Sequence, residues 1–202
     1  MKEKSWLRKH TVPLAFYVFV ILTILISKFF LPSNYVISIA AVLMLVPILF
    51  KADGGFFKSD TKGALLGLGV SAVLLSIYTA VIFLYGLYIG QKLVINSLPI
   101  SFLLTQSLMV ALPEEVFFRG YLQNKIGNNI RGIIIVSALF AIGHFVTLCV
   151  GGTHNLTICS QAILTFFPSL VMGYLYLKTK TLWASIIFHF FANIVHIAIS
   201  LS

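Results

Sequence analysis

The sequence predicts an all-α, polytopic transmembrane helix bundle of seven spans, forming a single domain over residues 1–202, and three observations carry that prediction. Of the 202 residues, 59% are hydrophobic and 9% are charged, with a mean hydropathy of +1.04, whereas a soluble domain carries about 25% charged residues. So few polar side chains cannot cover a water-facing exterior, and most of the surface must face lipid. Seven apolar runs approach the roughly 20 residues needed to cross a hydrocarbon core of about 30 Å. The cations, finally, collect in alternate connections between those runs.

The first run, Val12 to Leu31, is too long for the apolar region of a signal peptide and lacks a small-residue cleavage site, so no cleavable leader is expected. Pro32-Ser33-Asn34 separates it from the second run, Tyr35 to Phe50, which Asp53-Gly54-Gly55 follows. The third run, Ala64 to Ile89, is long. Gly63 and Gly67 stand at GxxxG spacing with Gly69 close behind, so it reads as one tilted helix or as two pieces, which leaves an eighth span open. Asn96 to Pro99 leads into the fourth run, Ile100 to Lys125, which Pro113 interrupts. Asn128-Asn129 precedes Gly132 to Val150, Gly151-Gly152-Thr153 precedes Ile158 to Leu177, and Lys178-Thr179-Lys180 precedes Leu182 to Leu201. Helices are expected throughout, because a helix satisfies its own backbone groups in lipid and no run alternates as a barrel strand does.

With the N-terminus in the cytoplasm, the inside segments hold Lys2, Lys4, Arg8, Lys9, Lys51, Lys58, Lys62, Arg119, Lys125, Arg131, Lys178 and Lys180, leaving Lys28 and Lys92 outside. Twelve against two is a positive-inside bias that a missed or extra span would scramble. The net charge of +9 is spread between apolar runs, so its counter-charge is expected in anionic lipid headgroups and not in nucleic acid. Two cysteines, Cys149 and Cys159, exclude a disulfide framework and a Cys-rich metal site. They flank one outer loop, where they either clip a hairpin as a disulfide or stay buried as thiols.

Ionisable groups at membrane depth are costly, which makes Glu114, Glu115, His144, His189 and Asn193 the informative positions. Counting about 1.5 Å per residue, Glu114 lies about 22 Å from the outer edge, His189 about 13 Å from the inner edge, and His144 and Asn193 about 20 Å from it. Three helices thus bring polar groups to the cytoplasmic half. His189 and Asn193 are i,i+4 and share a face, as are Phe140 and His144. Glu115 and Arg119 are also i,i+4, in the order that favours a helical ion pair. That pair would fix the fourth helix and leave Glu114 free for chemistry.

A carboxylate and an imidazole in a low-dielectric, partly wetted cavity can activate water as general bases. A water between Glu114 and His144 would be the nucleophile, and His189 with the Asn193 amide could stabilise charge on a carbonyl oxygen under attack. The set reads as an amide hydrolase. A lone intramembrane His or Asn is more often interhelical glue, but adjacent glutamates are not explained that way, since Arg119 can pair with only one. A zinc site on His144, His189 and Glu114 is the second choice, as no HExxH supplies a local ligand pair. A GxSG-like nucleophile turn of rhomboid type is absent, and the only aspartates, Asp53 and Asp60, sit in a loop.

Three segments then resemble a known family: Glu114-Glu115-Val-Phe-Phe-Arg119-Gly120-Tyr-Leu122, Leu139-Phe140-Ala-Ile-Gly143-His144, and Leu182-Trp-Ala-Ser-Ile-Ile-Phe-His189-Phe-Phe-Ala-Asn193. They are similar to the E-E-x-x-x-R, F-x-x-x-H and H-x-x-x-N motifs of the CAAX protease and bacteriocin-processing (CPBP, or Abi) family, whose eukaryotic branch is the type II CAAX prenyl endopeptidase. The resemblance covers a core of about residues 105–195. It implies a metal-independent glutamic intramembrane endopeptidase without a cofactor. General-base catalysis would fall to Glu114 and His144, oxyanion stabilisation to His189 and Asn193, and supporting roles to Glu115, Arg119 and Phe140. The implied substrate is a peptide or protein with a membrane-associated segment, and the compact chain suggests a bacterial inner-membrane protein. Some family members are linked to bacteriocin self-immunity, so a non-catalytic immunity or scaffold protein of the same fold is the alternative.

Other polar residues receive plainer readings. His196 follows His189 by seven and either lines the cavity or packs between helices. His154 lies in a loop, and Asn155-Leu-Thr157 forms a glycosylation sequon that matters only in a eukaryotic lumen.

Overall fold

The fold is described from a computed structural model over residues 2–49, 57–152 and 155–202. Seven helices run through these residues: α1 Lys2–Phe30, α2 Ser33–Leu49, α3 Thr61–Ile89, α4 Ile100–Ile126, α5 Ile130–Val150, α6 Leu156–Thr179 and α7 Trp183–Ala198. Every predicted run has its helix, and α3 is one continuous helix of 29 residues, which leaves no eighth span among the described residues. Five helices are long and apolar enough to cross a membrane, while α2 and α7 have 17 and 16 residues, or about 24–26 Å of helix. The turn read at Asp53-Gly54-Gly55, together with Lys51 and His154, lies outside the described residues.

One expectation is corrected. The last run is not helical to Leu201: α7 stops at Ala198, and β2 (Ile199–Leu201) pairs antiparallel with β1 (Leu93–Ile95), setting Leu93 opposite Leu201 and Ile95 opposite Ile199. Gly90 makes this pairing accessible by ending α3 in the left-handed conformation at φ 73°, its N–H returning to the Gly86 and Leu87 carbonyls. The two strands are far apart in sequence, so no local pattern announces their pairing.

The core gathers one face from most helices. Tyr17, Val20, Ile21 and Ile24 of α1 meet Val36 and Met44 of α2, Phe117, Phe118 and Leu122 of α4, and Val136 and Phe140 of α5. Met172 and Leu175 of α6 and Ala184 and Phe188 of α7 complete it. Elsewhere the helices expose large apolar side chains, as lipid-facing surface does. Helix α3 is the extreme case. Its buried residues are Gly63, Gly67, Ser71 and Gly86, and the first three repeat every four residues as one narrow stripe. A Cβ on Gly67 would lie 2.7 Å from the Ala184 carbonyl oxygen, so the glycine is what lets α3 approach α7.

Both ends of the bundle are tied. At the lysine-rich end Asp60 caps α3, accepting from the Gly63 N–H at 2.8 Å and from the Thr181 hydroxyl at 2.8 Å, which joins the start of α3 to the α6–α7 turn. At the other end Lys28 of α1 donates to the Thr147 carbonyl of α5. There Cys149 and Cys159 are joined as a disulfide with Cα atoms 5.0 Å apart, so the hairpin reading of these cysteines holds.

Two predictions follow from these ties. The Gly63 N–H, the Thr181 hydroxyl and nearby Lys62 hold the Asp60 carboxyl below the ordinary carboxylate range, against the opposing effect of burial. Its stabilising contribution is therefore present above that range and is lost as acid protonates the folded carboxyl. Asp60→Ala should lower the melting temperature of the detergent-solubilised protein at neutral pH, and thermal scans should show the gap to wild type closing toward pH 3. For the disulfide, which spans a sequence separation of 10, chain-entropy loss predicts about 2–3 kcal/mol of stabilisation. Reductant should bring wild type down to the stability of the Cys149→Ser, Cys159→Ser double variant and leave that variant unmoved.

Candidate active site

The site is built on irregular helix. Pro113 has no N–H and its ring clashes with the carbonyl four residues back, and around it α4 departs from α geometry. Gln106–Ala111 and Val116–Gln123 are wound as π-helix, flanking the α-helical Leu112–Glu115. Helix α5 changes in the same way, being α-helical over Ile130–His144 and π-helical over Phe145–Val150. Gln106, Glu115 and His144 thus each sit at a junction between the two geometries. Such junctions re-aim side chains and are common at functional sites.

Glu115 and Arg119 are wholly buried, with Oε2 and Nε 3.2 Å apart. Neither atom makes an aligned hydrogen bond, so charge holds this contact. Arg119 also donates through Nη2 to the Ser169 hydroxyl of α6 at 3.1 Å and lies over the Phe140 ring of α5, 5.4 Å from its centroid. One guanidinium therefore touches α4, α5 and α6. The second oxygen of Glu115 reaches α7, where His189 Nδ1 donates to Oε1 at 3.0 Å. The expected Glu115–Arg119 pair is present, and its links to Ser169 and His189 go beyond the sequence reading.

His189 stands between both glutamates. Its Nε2 is 3.7 Å from Glu114 Oε2, too long for a hydrogen bond, and the Glu114 side chain keeps 16% of its surface exposed where that of Glu115 keeps none. Glu114 Oε2 has no hydrogen-bond partner. Of the adjacent carboxylates, one is thus locked into the helix-joining cluster, and the other keeps a buried oxygen without a hydrogen-bond partner.

His144 and Asn193 approach from the other side. His144 Nδ1 donates to the Phe140 carbonyl at 3.0 Å, since a carbonyl can only accept, and in the neutral ring this leaves the Nε2 lone pair free. Phe140 packs against both imidazoles, its centroid 4.3 Å from that of His144 and 5.9 Å from that of His189. No direct hydrogen bond or ion pair joins Glu114 to His144 among the described residues. Asn193 donates its amide to Gln106 Oε1 at 3.1 Å, which fixes the amide's orientation. The sequence reading missed Gln106. It lies eight residues before Glu114 on the same helix, and its only local signal is an amide inside an apolar run. His196 bonds Tyr78 of α3 through Nδ1 at 3.0 Å, a link between helices. Among the described residues, no three His, Cys, Asp or Glu side chains group as a metal-ligand set.

The chain was compared with known proteins. No curated protein and no solved structure matches it. A family model does, described as type II CAAX prenyl endopeptidase Rce1-like, over residues 96–195, a stretch that contains Gln106 and every motif residue named above. A membrane-embedded bundle with buried polar side chains on α4, α5 and α7 is an architecture suited to such an enzyme, and the region over residues 96–195 belongs to the Rce1-like family of CAAX proteases.

Proposed function

We infer that the protein is a glutamic intramembrane endopeptidase that hydrolyses a peptide bond in a membrane-associated substrate without a metal. The observation that carries this reading is the unequal treatment of two adjacent glutamates: Glu115 is consumed by Arg119 and His189, while Glu114 keeps an unpartnered oxygen beside His189. A water between Glu114 and His144 can donate one hydrogen to the Glu114 carboxylate and the other to the His144 Nε2 lone pair. Glu114 takes the proton as the water oxygen attacks the scissile carbonyl carbon. When the C–N bond breaks, the same proton passes to the leaving amine.

The negative oxygen formed by that attack needs donors. In this reading they are the remaining Asn193 amide hydrogen and His189 Nε2. Because Nδ1 already donates to Glu115, His189 serves there as an imidazolium. The charges then balance, with two carboxylates facing one guanidinium and one imidazolium, which suits a site at membrane depth. Phe140 holds both imidazoles in place, and Gln106 orients the Asn193 amide. The bias of cations toward one set of connections supports an N-terminus in the cytoplasm and a site opening toward that leaflet. The setting proposed for the protein is a bacterial inner membrane.

Glu114→Gln keeps the shape and removes the base. In cleavage assays on detergent-purified protein with membrane-associated peptide substrates, it should lower kcat by about a hundred- to ten-thousand-fold without a change in melting temperature, while chelator leaves wild type unaffected. Activity lost to chelator and restored by zinc would transfer the site to a metal. Equal inactivity of wild type and mutant, with equal protection of cells against a bacteriocin, would favour the immunity role. Gln106→Leu should lower kcat about tenfold with KM unchanged, less than the 10²–10³ typical of losing an oxyanion donor itself. Gln106→Glu retains an acceptor for Asn193 and should recover most of that loss in the same assay.

A further inference from the structure

Helix α3 meets α7 through its small-residue stripe and leaves a groove on its other side, against α6. The groove is lined by Leu65, Leu66, Gly69 and Val73 of α3 and by Leu170 and Tyr174 of α6, and its walls are almost wholly apolar. A Cβ on Gly69 would meet nothing within 4 Å, so this glycine belongs to the groove and not to the stripe of Gly63 and Gly67. The groove also faces away from the active site. On α6, Ser169 and Gly173 turn toward α4, bonding Arg119 and Gln123, while Leu170 and Tyr174 line the outer strip.

Both walls end in a lysine at the same end of the bundle. Lys62 precedes Leu65, Leu66, Gly69 and Val73 at helical spacing on α3, and Lys178 follows Leu170 and Tyr174 on α6. The Asp60–Thr181 hydrogen bond holds these two ends together. Lys178 Nζ lies 5.4 Å from the centroid of the Tyr174 ring, which places an ammonium at the groove mouth. Lys62, Lys178 and Lys180 form no ion pair among the described residues, and the nearby Asp60 carboxylate is occupied by the Gly63 N–H and the Thr181 hydroxyl. An apolar slot closed by two lysines, Lys62 near the Asp60 carboxylate and Lys178, fits an amphiphile with an acyl chain and a negative head.

We propose that the groove between α3 and α6 is a binding site for one anionic phospholipid, with an acyl chain lying along Leu65, Gly69, Val73 and Leu170 and the phosphate headgroup held by Lys62 and Lys178. The lipid would fill the gap that the α3–α7 contact leaves, tying α3 to α6. It is a structural ligand, separate from the substrate.

The test uses the full chain reconstituted in vesicles of equal phosphatidylcholine and phosphatidylglycerol, released into mild detergent and weighed intact with its retained lipid. Wild type should retain one phosphatidylglycerol in preference to phosphatidylcholine. Lys62→Gln with Lys178→Gln should lower that preference about thirtyfold, at about 1 kcal/mol for each lysine near an anionic headgroup. Gly69→Phe, which fills the slot and leaves the lysines in place, should abolish retention of either lipid. Undiminished phosphatidylglycerol preference in the double lysine variant would overturn the headgroup assignment. Undiminished retention in a folded Gly69→Phe protein would overturn the groove.

Discussion

A buried arginine inside a membrane bundle has to be compensated on every side, and here that requirement organises the molecule. Arg119 is wholly enclosed and binds Glu115 by charge, Ser169 by hydrogen bond and Phe140 through its ring face. Glu115 in turn accepts from His189. Four helices are therefore joined through two side chains. Removing one partner would leave an uncompensated charge in a low-dielectric interior, a loss of about 3–5 kcal/mol for a buried pair. The cluster thereby sets the register of α4 against α5, α6 and α7, and with it the spacing between Glu114, His144 and His189.

Because Glu115 carries the structural load, Glu114 is spared it. Adjacent residues on a helix point about 100° apart, so two neighbouring carboxylates can serve opposite needs, one bound inside the cluster and one left with an unpartnered oxygen. The π-helical turns on either side of Leu112–Glu115 belong to the same arrangement. They accommodate Pro113 and present Gln106 and the glutamates to α7 from a single helix. His144 stands at a similar junction on α5, whereas His189 and Asn193 stand on the regular helix α7.

Much of this was legible in advance, for reasons that differ by residue. Apolar runs and turn residues announced all seven helices because lipid permits few alternatives. Glu114, His144, His189 and Asn193 stood out because polar groups at that depth need a reason, and Glu115 with Arg119 was readable because an i,i+4 pair is local. Gln106 was not, since its importance lies in a partner on another helix. The same is true of Ser169, of the Tyr78–His196 bond and of the β1–β2 ladder. The Gly63 and Gly67 spacing marked a close approach without naming α7 as the helix approached. Gly69 belonged to a different surface, which only the orientation of α3 reveals.

The sequence by itself determined the membrane setting, the seven apolar helical runs and most of the residues that hold the candidate chemistry, because hydropathy, turn chemistry and local spacing depend on the chain alone. Tertiary structure decided which side chains on other helices hold Glu115 and Arg119, which amide orients Asn193, and which faces of α3 and α6 remain open. Those outcomes depend on contacts between helices distant in sequence, where the geometry of three or four side chains around one buried charge selects the partners.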